Sequence, residues 1–340
     1  MKTRTFKPCA TMRYNSYMTE VVTCSDQGEW DEYIVENGGH PLQLWGWGEV
    51  KVAHGWKVER VFAEQNGKKI GAAQLLVKPL PSVFKALTYI PRGPVADEKN
   101  REVVLEALAE HAKEAHGGVA VAIEPDWEEM PNIQGWQQSS NTILIPRTLI
   151  LDLNKTEDEL LADMTKKTRQ YIRKSATDVE VRRVRGREEL EKCMDLYKLT
   201  AQRAGFPLHG DDYYYDIFEK MGDFSPVFAA YHQGEPVAFL WLAISGETAF
   251  ELYGGMDDAG QELRANYALK WQTIQTMKKW GIHRYDFNGL LNDGVSTFKQ
   301  GFASLETMLA GTYDKPLSPL YFVWNKGLPL AKKIIRAIKR

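Results

Sequence analysis

The residues able to do chemistry in this chain fall into three groups. Two lysines sit among aromatic and glycine residues: Lys299 in Phe298-Lys299-Gln300-Gly301-Phe302, and Lys51 shortly after Trp45-Gly46-Trp47-Gly48. A lysine in such a setting can grip a phosphate as a point charge or oppose negative charge that develops during a reaction. Taken alone, it is more often a solvated surface group. A basic run, Lys166, Lys167, Arg169, Arg173 and Lys174, continues through Arg182, Arg183, Arg185 and Arg187. At helical spacing its cations stand away from Leu161, Met164, Tyr171 and Ile172, so it is either a phosphate-contacting face or a solvated one. The third group is the tail. Pro329 precedes a helix predicted over 330–340, with Ala331, Ile334, Ile335 and Ile338 in one arc and Lys332, Lys333, Arg336, Lys339 and Arg340 opposite. Such a helix suits an anionic membrane surface, or docks on the protein with its basic face in water.

Other candidates carry less signal. Tyr89, Tyr213 and Tyr253 could wall a cleft and hydrogen-bond a ligand, or be plain core residues. Asp97 follows the turn Arg92-Gly93-Pro94, in which Gly93 permits a close backbone approach; it could accept a proton or cap a helix. The seven histidines show no metal-ligand spacing. Cys9, Cys24 and Cys193 are odd in number and unpatterned, so reduced thiols and no metal are expected.

The chain that must position these residues is 340 long, 44% hydrophobic and 26% charged, which argues against disorder or coiled coil and fits about two domains. Its longest apolar run, Pro236 to Ile244, has nine residues, short of the roughly 20 that span a bilayer. No apolar stretch follows Lys2, Arg4 and Lys7, so no secretory signal is read; a cytoplasmic location is expected, with Met18 an alternative start. A net charge of −2 is far from the balance of a protein coated in nucleic acid. Yet from Lys315 onward there are seven basic residues and no acidic one.

A long-period duplication organises the sequence. Val61-Phe62-Ala63-Glu64, a turn at Asn66-Gly67 and a strand from Ile70 to Val77 recur as Val227-Phe228-Ala229-Ala230, a turn at Gln233-Gly234 and a strand from Pro236 to Leu242. A third strand ends at Tyr89-Ile90-Pro91-Arg92-Gly93-Pro94 in one copy and Leu252-Tyr253-Gly254-Gly255 in the other. Helices are predicted over 101–115 and 265–280, and closing strands over 119–123 and 284–287. The offset stays close to 165 residues. Two mixed α/β lobes with a cleft between them follow. A link near Arg147 to Asn154 leads to a capping box, Thr156 and Glu159, predicted to open a helix through about Ser175.

Strand-turn-strand-strand-helix-strand resembles the acyltransferase fold of the GNAT superfamily, and its duplication in one chain resembles the FemABX family of tRNA-dependent peptidoglycan bridge-forming aminoacyltransferases. The segments that carry the likeness lie in order: Trp45 to Lys51; Tyr89 to Pro94; Lys166-Lys167-Thr168-Arg169; Gly205-Phe206 with Tyr213-Tyr214; Tyr253-Gly254-Gly255; Ala265-Asn266-Tyr267; Tyr285 to Gly289; and Phe298 to Phe302. Each is weak alone, but the ordered set is specific. The resemblance implies an α/β (α+β) fold of two tandem GNAT-like (acyl-CoA N-acyltransferase-like) domains with a cleft. Domain 1 would hold residues 20–150 plus a returning segment 312–340, and domain 2 residues 151–311. Nothing here fits the long coiled-coil arm of many relatives, so the chain resembles the arm-less, FemX-like branch.

The activity so implied is transfer of a small amino acid (glycine, alanine or serine) from aminoacyl-tRNA to the side-chain amine of the third stem-peptide residue of a peptidoglycan precursor. The basic tail favours lipid II over UDP-MurNAc-pentapeptide and implies peripheral contact with the inner membrane surface. The ester is already activated, so positioning and charge stabilisation suffice, with no cofactor beyond the co-substrate aminoacyl-tRNA. Lys299 is the implied catalytic cation, and Phe298 beside it an implied substrate-binding residue. Lys51 and Trp47 would take the precursor's diphosphate, and Tyr89, Gly93, Tyr213 and Tyr253 the acceptor. The family pattern has an arginine four residues before a tyrosine; here His209 precedes Tyr213, and histidine near its ordinary pKa of about 6.5 is a weak phosphate clamp at neutral pH. Asp97 is a possible proton acceptor. Lys166, Lys167, Arg169 and Arg173 are the tRNA-facing candidates.

Three rival readings remain open from sequence. An acetyl-CoA transferase would usually show a Gly-rich pyrophosphate loop, which Asp257 to Arg264 lacks. A tRNA-dependent transferase of protein N-termini would not need the precursor motifs. A non-catalytic binding protein would not need Phe298-Lys299.

Overall fold

The computed structural model describes residues 19–327 except Asn292 and Ser304; the basic tail over 328–340, Cys9 and Met18 lie outside the described residues. The first half runs β1 (Glu20–Thr23), α1 (Gln27–Glu36), α2 (Trp45–Ala53), β2 (Lys57–Gln65), β3 (Lys68–Pro79), β4 (Ala86–Pro91), β5 (Val95–Ala96), α3 (Arg101–Ala115), β6 (Ala120–Glu124) and β7 (Gln137–Gln138). The second runs β8 (Arg147–Asp152), α4 (Glu157–Asp163), α5 (Lys166–Ser175), β9 (Glu180–Arg183), α6 (Arg187–Ala204), α7 (Asp211–Met221), β10 (Val227–His232), β11 (Glu235–Ser245), β12 (Thr248–Met256), α8 (Asp258–Leu263), α9 (Ala265–Lys279), β13 (Arg284–Asp286), α10 (Gly294–Gln300), β14 (Glu306–Met308) and β15 (Tyr313–Pro316).

Each half builds one mixed sheet, ordered β1-β2-β3-β4-β6-β15-β7, with β5 beside β3, and β14-β8-β13-β12-β11-β10-β9. The two sheets exchange strands. β8 follows the first lobe in the chain but pairs with β13 of the second, whereas β15 follows the second lobe and pairs with β6 of the first. The stretch read from sequence as a link is thus a strand, and it straddles residue 150. The helix expected through Ser175 is two helices. Its capping box forms as read, but Met164 turns extended at ψ 154° and Thr165 starts α5 by accepting the Thr168 N–H.

α3 covers one face of the first sheet through Val104, Leu105, Leu108 and Ala112, and α9 covers one face of the second through Ala268, Trp271, Ile274 and Met277. The other two faces are joined through the helices packed on them, α1 and α2 on the first and α6 and α7 on the second. Trp30, Leu44, Trp47 and Phe62 from the first lobe share a buried cluster with Leu190, Tyr213, Ile217 and Trp241 from the second. An ion pair between Arg284 and Asp126, 3.0 Å apart, also crosses the junction. One continuous core therefore locks the lobes together. Among the described residues no helix is long and apolar enough to cross a membrane. The longest, α6, has 18 residues, and no long coiled-coil arm is present among them.

Candidate active site

The second sheet opens where Lys299 sits. β12 and β13 run parallel for only three rungs, Thr248–Arg284 to Phe250–Asp286. The ladder then stops because Asn288 and Gly289 both take left-handed backbone, φ 54° and 56°, and turn the chain away. The Asp286 carboxylate holds this turn by accepting the Asn288 N–H at 2.8 Å and the Thr148 hydroxyl at 2.6 Å. The Asn288 side chain donates to the Glu251 carbonyl at 2.9 Å, tying the turn to β12. Into this opening α10 delivers Lys299, half-buried, whose ammonium donates to the Asn288 and Gly289 carbonyls. Burial pushes its pKa down, while the nearby Glu251, Asp286 and Asp293 carboxylates push it back up.

Behind Lys299 lies a pair that the sequence did not reveal. Lys270 of α9 and Glu251 of β12 form a buried ion pair at 2.6 Å, and the Tyr285 hydroxyl donates to the same carboxylate at 2.8 Å. Burial pushes Lys270 down to about 8. A lysine within a helical stripe and a glutamate within a strand carry no local signal of partnership. With Glu251 answered by Lys270, Lys299 adds a further positive charge to a partly desolvated opening, where it acts more strongly than in water.

β12 also links this opening to the second cluster of candidates. Two residues beyond Glu251, about 7 Å along a strand, Tyr253 meets Tyr213, with which it shares a side-chain hydrogen bond. Tyr213 belongs to α7, and its hydroxyl accepts a hydrogen bond from Lys51 of α2 at 2.6 Å. The Lys51 ammonium stands 4.3 Å over the Trp47 ring and 4.9 Å over Tyr213, and the His209 ring stacks on Tyr213 at 4.1 Å. Burial lowers the Lys51 pKa to about 8 and raises Tyr213 to about 12, so at neutral pH the first is largely cationic and the second a neutral hydroxyl. Trp47 Nε1 is buried with no hydrogen-bond partner among the described residues. Lys51, Trp47, Tyr213, His209 and Tyr253, distant in sequence, thus form one cationic and aromatic cluster across the lobe junction.

The glycines of Trp45-Gly46-Trp47-Gly48 make this possible. A Cβ on Gly46 would collide with the Lys220 carbonyl of α7, and one on Gly48 with the side chains of Arg60 and Gln74. Helix interiors disfavour glycine by about 1 kcal/mol relative to alanine, yet here it lets α2 lie against α7 on one side and β2–β3 on the other. Arg203, the arginine nearest before His209, does not turn to this cluster but donates to Asp258, Gln261 and the Met256 carbonyl.

The basic helix α5 adjoins α10. The Thr165 N–H donates to the Gly301 carbonyl at 3.0 Å, and Gly301 has no room for a Cβ against Thr168. Tyr171 of α5 packs on Tyr267, which packs on Phe298. Lys166, Lys167 and Arg173 are exposed beside the Lys299 helix. Arg169 is turned inward and donates to the Leu161, Ala162 and Met164 carbonyls, capping the end of α4.

The remaining candidates lie apart. Tyr89 is buried in the first lobe and donates to Glu124. Gly93 packs against the Gln43 amide and Ile90. Asp97 is 76% exposed beside Lys99 and makes no side-chain cap. A cavity of about 480 Å³ at the strand exchange, lined by residues including Gln138, Thr142, Pro146, Leu309 and Tyr313, contains none of them.

Comparison with known proteins bears on this arrangement. Residues 26–146 match the FemAB family and residues 162–300 match the acetyltransferase (GNAT) domain. The lipid II:glycine glycyltransferase of Staphylococcus aureus strain MRSA252 is 33% identical over 415 aligned positions, covering 92% of this chain and 98% of the relative. That alignment exceeds the 340 residues here, so the relative has segments without a counterpart. In fold, the crystal structure of FemX agrees at a TM-score of 0.80, with 22% identity over 90% of this chain and all of that one. A tandem GNAT protein from the clavulanic acid biosynthesis pathway agrees at 0.53, with 12% identity over 89% and 99%. Two GNAT-like halves, and one-third identity to a relative along nearly the full length of both chains, place this chain in the FemAB family of aminoacyltransferases.

Proposed function

We propose that this enzyme moves an amino acid, glycine first among the small ones, from aminoacyl-tRNA to the side-chain amine of the third stem-peptide residue of lipid II. The observation that carries the reading is the half-buried Lys299 ammonium in the opening between β12 and β13, beside the exposed cations of α5. The acceptor amine attacks the ester carbonyl, a C–N bond forms, and the tRNA 3′-oxygen leaves with the proton that the amine gives up. Lys299 would offset the negative charge that passes from the carbonyl oxygen to the leaving oxygen. Lys51, Trp47 and Tyr213 would hold the diphosphate, and Lys166, Lys167 and Arg173 the tRNA backbone. The names of the relatives support lipid II and glycine. A peripheral membrane contact through 328–340 belongs to the same reading.

A radiolabel assay tests it, using a panel of charged tRNAs with lipid II, UDP-MurNAc-pentapeptide or a model protein as acceptor, and acetyl-CoA as rival donor. Transfer from glycyl-tRNA to lipid II is expected to be fastest. Transfer from acetyl-CoA alone, or to the protein N-terminus, would replace the reading. Co-sedimentation with anionic liposomes should fall on removal of residues 328–340; equal binding would reject the membrane contact.

A further inference from the structure

We propose that the first lobe carries a divalent transition-metal site made by Glu59, His111 and His116, separate from the transfer site. Glu59 lies on the β2 face that packs against α3, in line with Val61 and Ala63. His111 is near the end of α3 and His116 is its C-cap. The two imidazoles converge on one carboxylate oxygen: Nε2 of His111 lies 3.1 Å and Nε2 of His116 2.7 Å from Glu59 Oε2. The three ligand atoms all fall within 4.8 Å of one another, the only such set of histidine, cysteine and carboxylate groups among the described residues. Sequence spacing hid it, because Glu59 is 52 and 57 positions from its partners.

Two imidazole nitrogens and one carboxylate oxygen are the donor set that Zn²⁺ and its neighbours take, with a fourth position left for water. Ligand atoms about 2.1 Å from a tetrahedral ion stand about 3.4 Å apart, so the two histidine–glutamate separations need only a small opening. The surroundings suit a cation. Thr23 donates to the other Glu59 oxygen at 2.9 Å, fixing the carboxylate from behind. His116 stands at the negative end of the α3 dipole. The side chains are 18–20% exposed, which leaves access for ion and water. Without metal each Nε2–H donates to the carboxylate; on binding, each Nε2 gives up that proton, a neutral ring by taking the Nδ1–H tautomer and an imidazolium by releasing it to solvent, and both Nε2 lone pairs go to the ion. The ion would pin the end of α3 to β2. The next residue, Arg60, points to the opposite face, where it donates to the Trp45 carbonyl and Glu49. The role is therefore one of stiffening the first lobe.

Titration of the full chain under reducing conditions with CoCl₂ and ZnCl₂, read by absorption, calorimetry and thermal melting, tests the site. One equivalent of Co²⁺ should give d–d bands without a thiolate charge-transfer band. Zn²⁺ should bind one-to-one and raise the Tm, and MgCl₂ should do neither. Thr23→Val should weaken Zn²⁺ about 10-fold, and His111→Ala or His116→Ala more than 100-fold. Absence of Co²⁺ bands from the wild-type protein, a thiolate band, or wild-type affinity in both histidine variants would overturn the proposal. The wild-type Co²⁺ spectrum decides even where a variant folds poorly.

Discussion

The two lobes repeat one order of elements yet end their central ladders differently. In the first, β4 and β6 pair over five rungs, from Leu87–Ala120 to Pro91–Glu124. In the second, β12 and β13 pair over three. Counted from the first rung, Glu124 and Asn288 occupy the same position. Glu124 closes its lobe, accepting from Tyr89, the Ile143 and Leu144 N–H groups and the Thr312 hydroxyl. Asn288 opens its lobe by leaving the strand in left-handed backbone, and its carbonyl receives Lys299. The lesson is that duplication lets one copy stay zipped as scaffold while the other gives up ladder bonds to place a charge.

Substitutions at that shared position should separate stability from rate. Glu124→Gln removes a buried carboxylate with four donors around it, so it should cost about 2–3 kcal/mol of stability by denaturant titration, with kcat nearly unchanged. Asn288→Ala should do the reverse, lowering kcat on the order of 30-fold with a small change in Tm. If both act on stability alone, the contrast between the lobes is wrong.

Lys51 sharpens the comparison at the junction. Below about pH 8 its buried ammonium disfavours the folded state. Between about 8 and the ordinary lysine value of 10.5 the unfolded chain holds more protons, so this residue adds stability as pH rises through that window. Lys51→Met should therefore raise stability at pH 7 by about 1 kcal/mol, discounted for partial exposure. It should also weaken binding of a diphosphate-bearing acceptor and remove the loss of acceptor affinity expected of the wild-type protein above pH 8. Urea melts and binding isotherms from pH 7 to 10 read both. Gly46→Ala should press α2 off α7 and cost about 1–2 kcal/mol by thermal or urea unfolding. The smallest effect is expected from reversing Lys166, Lys167 and Arg173, which should raise the KM for charged tRNA several-fold, more at low salt, without altering kcat.

Much of this was legible locally. Turn residues, apolar stripes and the 165-residue echo gave both copies of the repeat, and the Thr156–Glu159 capping box and helices α3 and α9 appear where their patterns put them. Periodicity reports which face a residue takes, not which distant strand it will meet, so the pairing of β8 with β13 was hidden, whereas a segment returning to the first lobe, where β15 lies, was an implication of the family resemblance. For the same reason Arg169 read as one cation of a basic face although it caps α4. The Lys270–Glu251 pair and the Glu59 histidine cluster are tertiary facts with no local spacing. At the site, motif context marked Lys299, Lys51 and Tyr213. The geometry adds that β12 joins them.

Single-turnover transfer from charged tRNA by Lys299→Met is the most direct test of a charge placed by the opened ladder. The rate is predicted to fall about 10²–10³-fold, with Tm and acceptor Kd unchanged. A near-wild-type rate would contradict the account.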